Sequence, residues 1–258
     1  GVSRPIVKHS FTVDKQENIA NIVAEAFHIA TSGRQGPVLI DVPKDLTNPD
    51  DLFDFVYPDK VHVRSYNPPI KPENHQVSRA VDAILASERP VIYAGGGTIS
   101  SNASKELREL NDLIDAPVTN TLMGLGVFPG THKRFLGMLG MHGTYQANMA
   151  MHNADLIIAL GARFDDRITN APDKFAPRAK IIHFDVDHSS VSKIIEADIA
   201  VFGQIKDSLQ AINNHLKTKI DEIDNEKLAP WHQQISDWKE KHGPVSYTHL
   251  TLPTNSRV

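Results

Sequence analysis

Asp155-Leu156-Ile157-Ile158-Ala159-Leu160-Gly161-Ala162-Arg163-Phe164-Asp165-Asp166-Arg167 is the stretch whose reading decides the fold. Five consecutive apolar residues closed by glycine are too short for a helix. They read as a strand buried on both faces, the kind found in parallel sheets. The loop that follows carries two arginines four apart, with two aspartates between them.

Two similar runs lie on either side. Pro90 to Ala94 leads into Gly95-Gly96-Gly97, and Lys180 to Phe184 ends at Asp185. Helical spacing covers 77–86, 101–114 and 144–153, and Pro117 to Thr119 starts another short strand. Beyond Asp185, the pattern predicts a short helix at 191–197, a strand at 199–202 and a closing helix at 205–216. Strands alternating with helices predict an α/β fold: a doubly wound parallel sheet over 76–216, with right-handed crossovers and helices on both faces.

Upstream, Asn18 to Ser32 shows one apolar helical face, with Gly33 placed as its C-cap and Val38 to Val42 as a buried strand. One helix and one strand cannot bury a core, so 1–47 reads as the end of a second α/β domain that precedes the sheet. Residues 48–75 hold Pro49, Pro58, Pro68, Pro69 and Pro72 and read as a linker. Residues 217–245 are polar and read as a connection toward a further domain. The stretch 246–258 has no pattern joining it to the rest. It resembles translated adapter sequence and is expected to be non-native, so the whole reads as an internal fragment.

Composition narrows the function. The 258 residues carry a net charge of −4 and no basic cluster, which argues against a nucleic-acid partner. The longest apolar run, Leu156 to Leu160, is far too short to cross a membrane. There is no cysteine, hence no disulfide framework and no thiolate zinc site. No nucleophile-elbow or zinc-protease motif occurs.

In open parallel sheets, ligands bind beyond the carboxyl ends of the strands. Gly95-Gly96-Gly97 sits at one such end, where glycines allow close approach to a ligand; a tight structural turn explains them equally well. Arg163 and Arg167 sit at a second. Their planar forks suit phosphate or carboxylate, or they pair with Asp165 and Asp166 on a solvated loop. Asp185-Val186-Asp187-His188 sits at a third, where an acid can accept ribose hydroxyls or, as the weaker alternative, join a metal. Met138-Leu139-Gly140-Met141-His142-Gly143 reads as a flexible apolar surface able to accommodate a ring, or as a core loop with an incidental histidine.

Gly33-Arg34-Gln35-Gly36-Pro37-Val38-Leu39-Ile40-Asp41-Val42-Pro43-Lys44-Asp45 resembles the end of the pyrimidine-binding domain of thiamine-diphosphate enzymes. Leu122-Met123-Gly124-Leu125-Gly126, Met138 to Tyr145, Asn153-Ala154-Asp155 and Gly161 to Arg167 resemble, in order and spacing, the catalytic large subunit of acetohydroxyacid synthase (acetolactate synthase) of the bacterial valine-sensitive type. The resemblance runs from Gly1 to about Leu216. It implies a central domain that binds FAD in an extended pose. Arg34 would reach the flavin nucleotide from the first domain, and Gly95, Gly96 and Gly97 would line its nucleotide part. Thr121, Leu122, Leu139, Gly140, Met141, His142 and Gly143 would flank the flavin. Gly161, Ala162, Arg163, Asp165, Arg167 and Ile168 would hold the middle, with Asp185 and Val186 at the adenosine end. Gln204 stands where the family usually has Asp, which weakens that one contact.

The implied reaction joins a pyruvate-derived two-carbon unit, carried on thiamine diphosphate, to a second 2-ketoacid. The products are 2-acetolactate or 2-aceto-2-hydroxybutyrate, at the head of branched-chain amino acid synthesis. Arg167 would meet the acceptor carboxylate, Met141 would shape its pocket, and Lys44 and Asp166 would lie along the same channel. The family's catalytic glutamate would lie upstream of Gly1 and its Mg²⁺-diphosphate motif downstream of Val245. No catalytic residue or metal ligand is therefore expected within this chain, and the isolated fragment is expected to be inactive. The resemblance further implies pyruvate and 2-ketobutyrate as substrates, a homodimer with a small regulatory subunit, and a bacterial cytoplasmic location. Alternatives are an inert FAD or nucleotide module, and another thiamine-diphosphate enzyme such as glyoxylate carboligase or pyruvate oxidase. A sirtuin-like NAD domain is disfavoured, since zinc-ligand cysteines are absent.

Overall fold

A computed structural model describes residues 1–48, 50 and 52–242. The tail at 246–258 expected to be non-native lies outside them, as do residues 243–245.

The deciding stretch forms strand β6, Leu156–Leu160, with all five residues buried. It is the middle of a six-stranded parallel sheet. Its partners are β3 (Pro90–Ala94), β4 (Val118–Asn120), β5 (Phe135–Met138), β7 (Lys180–Asp185) and β8 (Ile199–Phe202), in the order β5-β4-β3-β6-β7-β8. Counted within this sheet the order is 3-2-1-4-5-6, which is that of a dinucleotide-binding doubly wound fold. The expected fold class is the one observed.

Side-chain alternation explains why the central runs are so apolar. Ile92, Ala94, Ile158, Leu160, Ile182 and Phe184 enter one core, with α2 (Asn74–Ala86), α4 (Ser104–Ile114) and α7 (Ile205–Thr218). Val91, Tyr93, Ile157, Ala159 and Ile181 enter the other, beneath α5 (Tyr145–Asn153) and α8 (Ala229–His242). Strands β3, β6 and β7 thus each feed two cores with period two.

Several expectations need correction. The helix expected at 191–197 is a run of turns. Ser192 takes a left-handed φ of 57°, which breaks helical propagation, and its hydroxyl accepts from the Ala197 N–H at 3.1 Å. The polar segment after Leu216, read as a connection, carries a helix of its own. Its helix α8 packs on α5 and buries Trp231, whose indole donates to Pro90 O at 3.2 Å. Strand β5 escaped notice because Phe135-Leu136-Gly137-Met138 contains a glycine and no β-branched residue. Gly96–Ser100 is a one-turn helix, α3, not a plain glycine turn, and Asp166–Thr169 forms another short helix, α6.

Upstream, β1 (His9–Thr12) pairs in parallel with β2 (Val38–Asp41), and α1 (Ile19–Thr31) covers one face of the pair. Gly33 follows α1 with a left-handed φ of 58°. Strand β2 was expected to be buried. It alternates between half-buried and exposed, because α1 covers only one of its faces among the described residues. Strand β1 was missed, since His-Ser-Phe-Thr has no apolar run. No strand or helix interrupts the described residues between Thr47 and Asn74.

Candidate functional site

The order of the sheet reverses between β3 and β6, and a crevice opens beyond their carboxyl ends, as the topology demands. The backbone beyond each strand tip is held by its neighbours. Gly95 N donates to Leu160 O at 2.9 Å, and Gly97 N to Gly161 O at 3.1 Å. Gly161 N reaches Phe184 O at 2.9 Å, and Thr98 Oγ1 reaches Leu160 O at 2.8 Å. The Gly95–Gly97 and Gly161 loops touch so closely that neither tolerates a Cβ. One built on Gly97 would lie 2.8 Å from Gly161 Cα, and one built on Gly161 would lie 2.6 Å from Gly97 Cα. Gly95 and Gly97 are therefore needed for packing against Gly161 at the switch point, and this packing sets the cleft floor.

The cleft holds about 650 Å³, within the range of roughly 300–1,000 Å³ common for small-molecule sites. Its lining includes Arg34, Gly96, Gly97, Thr121, Leu122, Gly161, Ala162, Arg163, Asp165, Arg167, Ile168, Asp185, Val186 and Gln204. Residues expected from six separated segments thus meet in one cavity. Gly95, expected with them, is not in the lining.

The segment from Leu139 to Gly143 stands apart. Leu139 is buried, whereas Met141 and His142 are exposed, and none of the five lines the cleft. The segment adjoins the cleft wall, however. Met141 N donates to Arg167 O at 3.3 Å, and a Cβ on Gly140 would lie 2.7 Å from Ile168 Cδ1. Lys44 and Asp166 are exposed and lie outside the lining.

The loop 161–167 owes its shape to Phe164. This residue adopts a left-handed φ of 53°, a strain of about 1–2 kcal/mol for a non-glycine residue. Burial offsets it, since the ring sits 5.6 Å from Tyr93, 5.8 Å from Phe175 and 5.3 Å from His183. With Phe164 turned inward, Arg163 and Asp165 turn outward and pair at 2.7 Å. The open choice about the two arginines therefore divides. Arg163 pairs within the loop, while the Arg167 guanidinium has no hydrogen bond or ion pair among the described residues. A free guanidinium lining a cleft is available to an anion.

The opposite end carries the acids. Burial raises Asp185, and the charge of Asp187 adds to the shift, while the Asp187 N–H and Arg34 oppose it. Asp187 behaves differently. Burial alone would raise it, but donors from Ser189, Arg34 and Ser190 hold it down at about 2. Arg34 donates to Asp187 Oδ2 at 3.2 Å and to Ser190 Oγ at 2.9 Å, so the Gly33–Gln35 turn closes over the cleft. Beneath, burial pushes His183 down to about 4, with the Ala162 backbone opposing in part, so the ring is neutral at pH 7.

Gln204 is the residue just before α7 and makes no side-chain cap. Its carbonyl oxygen accepts from Ser101 Oγ at 3.3 Å instead. Ser101, Tyr93, Phe164, Met123 and Ser190 also line the cleft and escaped the sequence reading. Reading Gly96–Ser100 as a helical turn would have found Ser101. Phe164 carried no signal, because nothing in the sequence marks its backbone as left-handed.

A six-stranded parallel sheet whose switch point opens into a glycine-floored cleft defines an open α/β ligand-binding domain. The family described as thiamine pyrophosphate enzyme, central domain, matches residues 77–212, and the chain belongs to that family. It is 48% identical over 97% of its length to the acetolactate synthase large subunit of Buchnera aphidicola subsp. Acyrthosiphon pisum. It is 44% identical over 96% of its length to the acetolactate synthase isozyme 3 large subunit of Escherichia coli K12. The corresponding subunit of Corynebacterium glutamicum is 40% identical over 93%. The chain spans 43%, 43% and 38% of these three relatives. Among the described residues, no helix is long and apolar enough to cross a membrane, and no group of three or more His, Asp or Glu could hold a metal ion.

Proposed function

We propose that this chain is the flavin-carrying part of an acetolactate synthase large subunit, with FAD lying extended along the switch-point cleft. One observation carries the reading: the cleft gathers cationic, backbone and acidic groups of the kind an extended dinucleotide needs. Arg34, the glycines at the ends of β3 and β6, and Asp185 at the end of β7 all line it. Asp185 accepts ribose hydroxyls. The Thr121 hydroxyl oxygen, buried without a partner at the cleft wall, is a polar group awaiting a ligand atom. Leu122 and Met123 are 68% and 75% exposed and give a flat ring an apolar surface. Gln204 contributes a neutral hydrogen-bonding group where an acid is usual.

Thiamine diphosphate and Mg²⁺ belong to the intact subunit, where they supply the carbon–carbon chemistry on pyruvate. This chain contributes binding and orientation. The exposed Arg167 guanidinium takes the carboxylate of the acceptor, pyruvate or 2-ketobutyrate, in a bidentate fork. Met141, whose N–H is tied to Arg167 O, forms the neighbouring apolar wall. Lys44 and Asp166, both exposed, belong to the approach to this pocket. The intact enzyme works as a homodimer with a small regulatory subunit in the bacterial cytoplasm.

The full-length protein containing this chain converts pyruvate to 2-acetolactate. In it, Arg167→Ala raises the acceptor KM roughly tenfold or more, as expected for loss of a charge-assisted hydrogen bond, and leaves flavin bound. Steady-state kinetics with flavin absorbance measures both. A full-length protein that forms no acetolactate contradicts the reading, and an unchanged KM removes Arg167 from acceptor recognition.

A further inference from the structure

Among the described residues, Arg34 is the one cleft cation contributed from outside the sheet domain, and its side chain is 56% exposed. A long, exposed side chain is a poor clamp unless its backbone is fixed. The structure shows what fixes it. Lys8 lies at the C-terminal end of α1, where its ammonium donates to Ile29 O at 2.5 Å, Ser32 O at 2.7 Å and Tyr66 Oη at 2.5 Å. Those are all three protons that a lysine can offer. Tyr66 Oη in turn donates to Ser32 O at 2.8 Å, and its ring lies 4.7 Å beneath the same ammonium. The network therefore leaves no Lys8 or Tyr66 donor unused. A cation at a helix C-terminus is also favoured by the helix dipole.

The turn that carries Arg34 is built onto this network. Gly33 follows Ser32 directly, and a Cβ on it would lie 2.8 Å from Tyr66 Oη and 3.0 Å from Pro68 Cβ. The polar, proline-rich segment is thus a strap packed on the turn. It is anchored at its other end as well, where Ile70 O accepts from Gln204 N at 2.9 Å beside the cleft. On the far side, Gly36 N donates to Ala30 O at 3.1 Å. From this turn Arg34 extends over the cleft to Asp187 and Ser190.

We infer that Lys8 and Tyr66 are positioning residues for the flavin nucleotide. They lock the Gly33–Arg34 turn above the cleft, although neither lines it. The inference rests on the flavin reading of that cleft. Losing one hydrogen bond of the lock loosens Arg34 and weakens FAD binding without removing any group that touches FAD.

The test uses the full-length protein stripped of flavin. Tyr66→Phe and Lys8→Met are each titrated with FAD and compared with the parent. Each is expected to bind roughly three- to tenfold more weakly. In an Arg34→Ala background, the same changes add no further loss, because the lock acts through Arg34. An undiminished affinity in both variants, or an equal loss in the Arg34→Ala background, overturns the proposal. Hydrogen exchange in the flavin-free protein gives a separate reading. The amides of Ser32 and Gly36 exchange faster in Tyr66→Phe, and unchanged exchange overturns the lock whatever FAD does. If the parent itself binds no FAD while exchange still responds, the flavin reading has failed and the lock stands.

Discussion

Gly95→Ala is expected to cost about 3 kcal/mol of stability or more and to abolish flavin binding. Gly95 has an ordinary φ of −105°, so backbone strain is not the issue. Space is. A Cβ there would sit on top of Gly161 O and 2.8 Å from Ala162 Cα. Both are backbone atoms of the loop after β6, and that loop is itself pinned by Gly161 N to Phe184 O at 2.9 Å. Nothing in contact is the far end of a flexible chain. The two strand ends must part, and the cleft floor parts with them. Gly126→Ala serves as the comparison. Its φ of 92° makes alanine strained, yet nothing lies within 4 Å of the new methyl. That change costs only about 1–2 kcal/mol and leaves flavin bound. Chemical denaturation with FAD titration of both variants separates steric ruin of the switch point from general strain. Equal effects would refute the packing account.

Trp231→Ala is expected to cost about 3–5 kcal/mol and to lower Tm by roughly 6–20 °C. Trp231 is 2% exposed and fills the second core beneath α8, against Met151, Ala154 and Ile157 of the same cluster. Its indole N–H donates to Pro90 O, Trp238 meets it edge-on at 5.8 Å, and Arg89 lies over its ring at the same distance. The truncation therefore opens a large cavity and strands a carbonyl at the start of β3. Trp238→Ala, at the partly buried edge of the same cluster, costs less. If Trp231→Ala melted like the parent, α8 would be a connection after all.

Much of the fold is legible in the sequence because parallel strands are buried on both faces. Leu156 to Leu160 and Pro90 to Ala94 are unbroken apolar runs, and Ile181 to Phe184 is interrupted by His183 alone, so these segments admit few other readings. What escaped was whatever a run cannot encode. Strand β5 holds a glycine at φ 90° and lies at the sheet edge, where burial pressure is weaker. Helix α8 is polar overall, and only Trp231 and Ile235 among its residues are buried, so its packing rests on two side chains. Of the candidate site, the strand-end residues were legible, since topology dictates where ligands lie. The inward turn of Phe164 and the closure of Arg34 over Asp187 depend on three-dimensional packing that has no local signature. Met141 and His142 resemble the flavin-flanking segment of the family, yet they stand at the wall of the cleft and outside its lining.

Whether the switch-point cleft is a flavin site is tested by equilibrium titration of the flavin-free chain with FAD, followed by fluorescence quenching. Saturable binding at one FAD per chain is expected, weakened when Asp185 is replaced by Ala and when Arg34 is replaced by Ala. Absence of saturable binding by a chain that melts cooperatively, or binding indifferent to both replacements, would contradict the flavin reading.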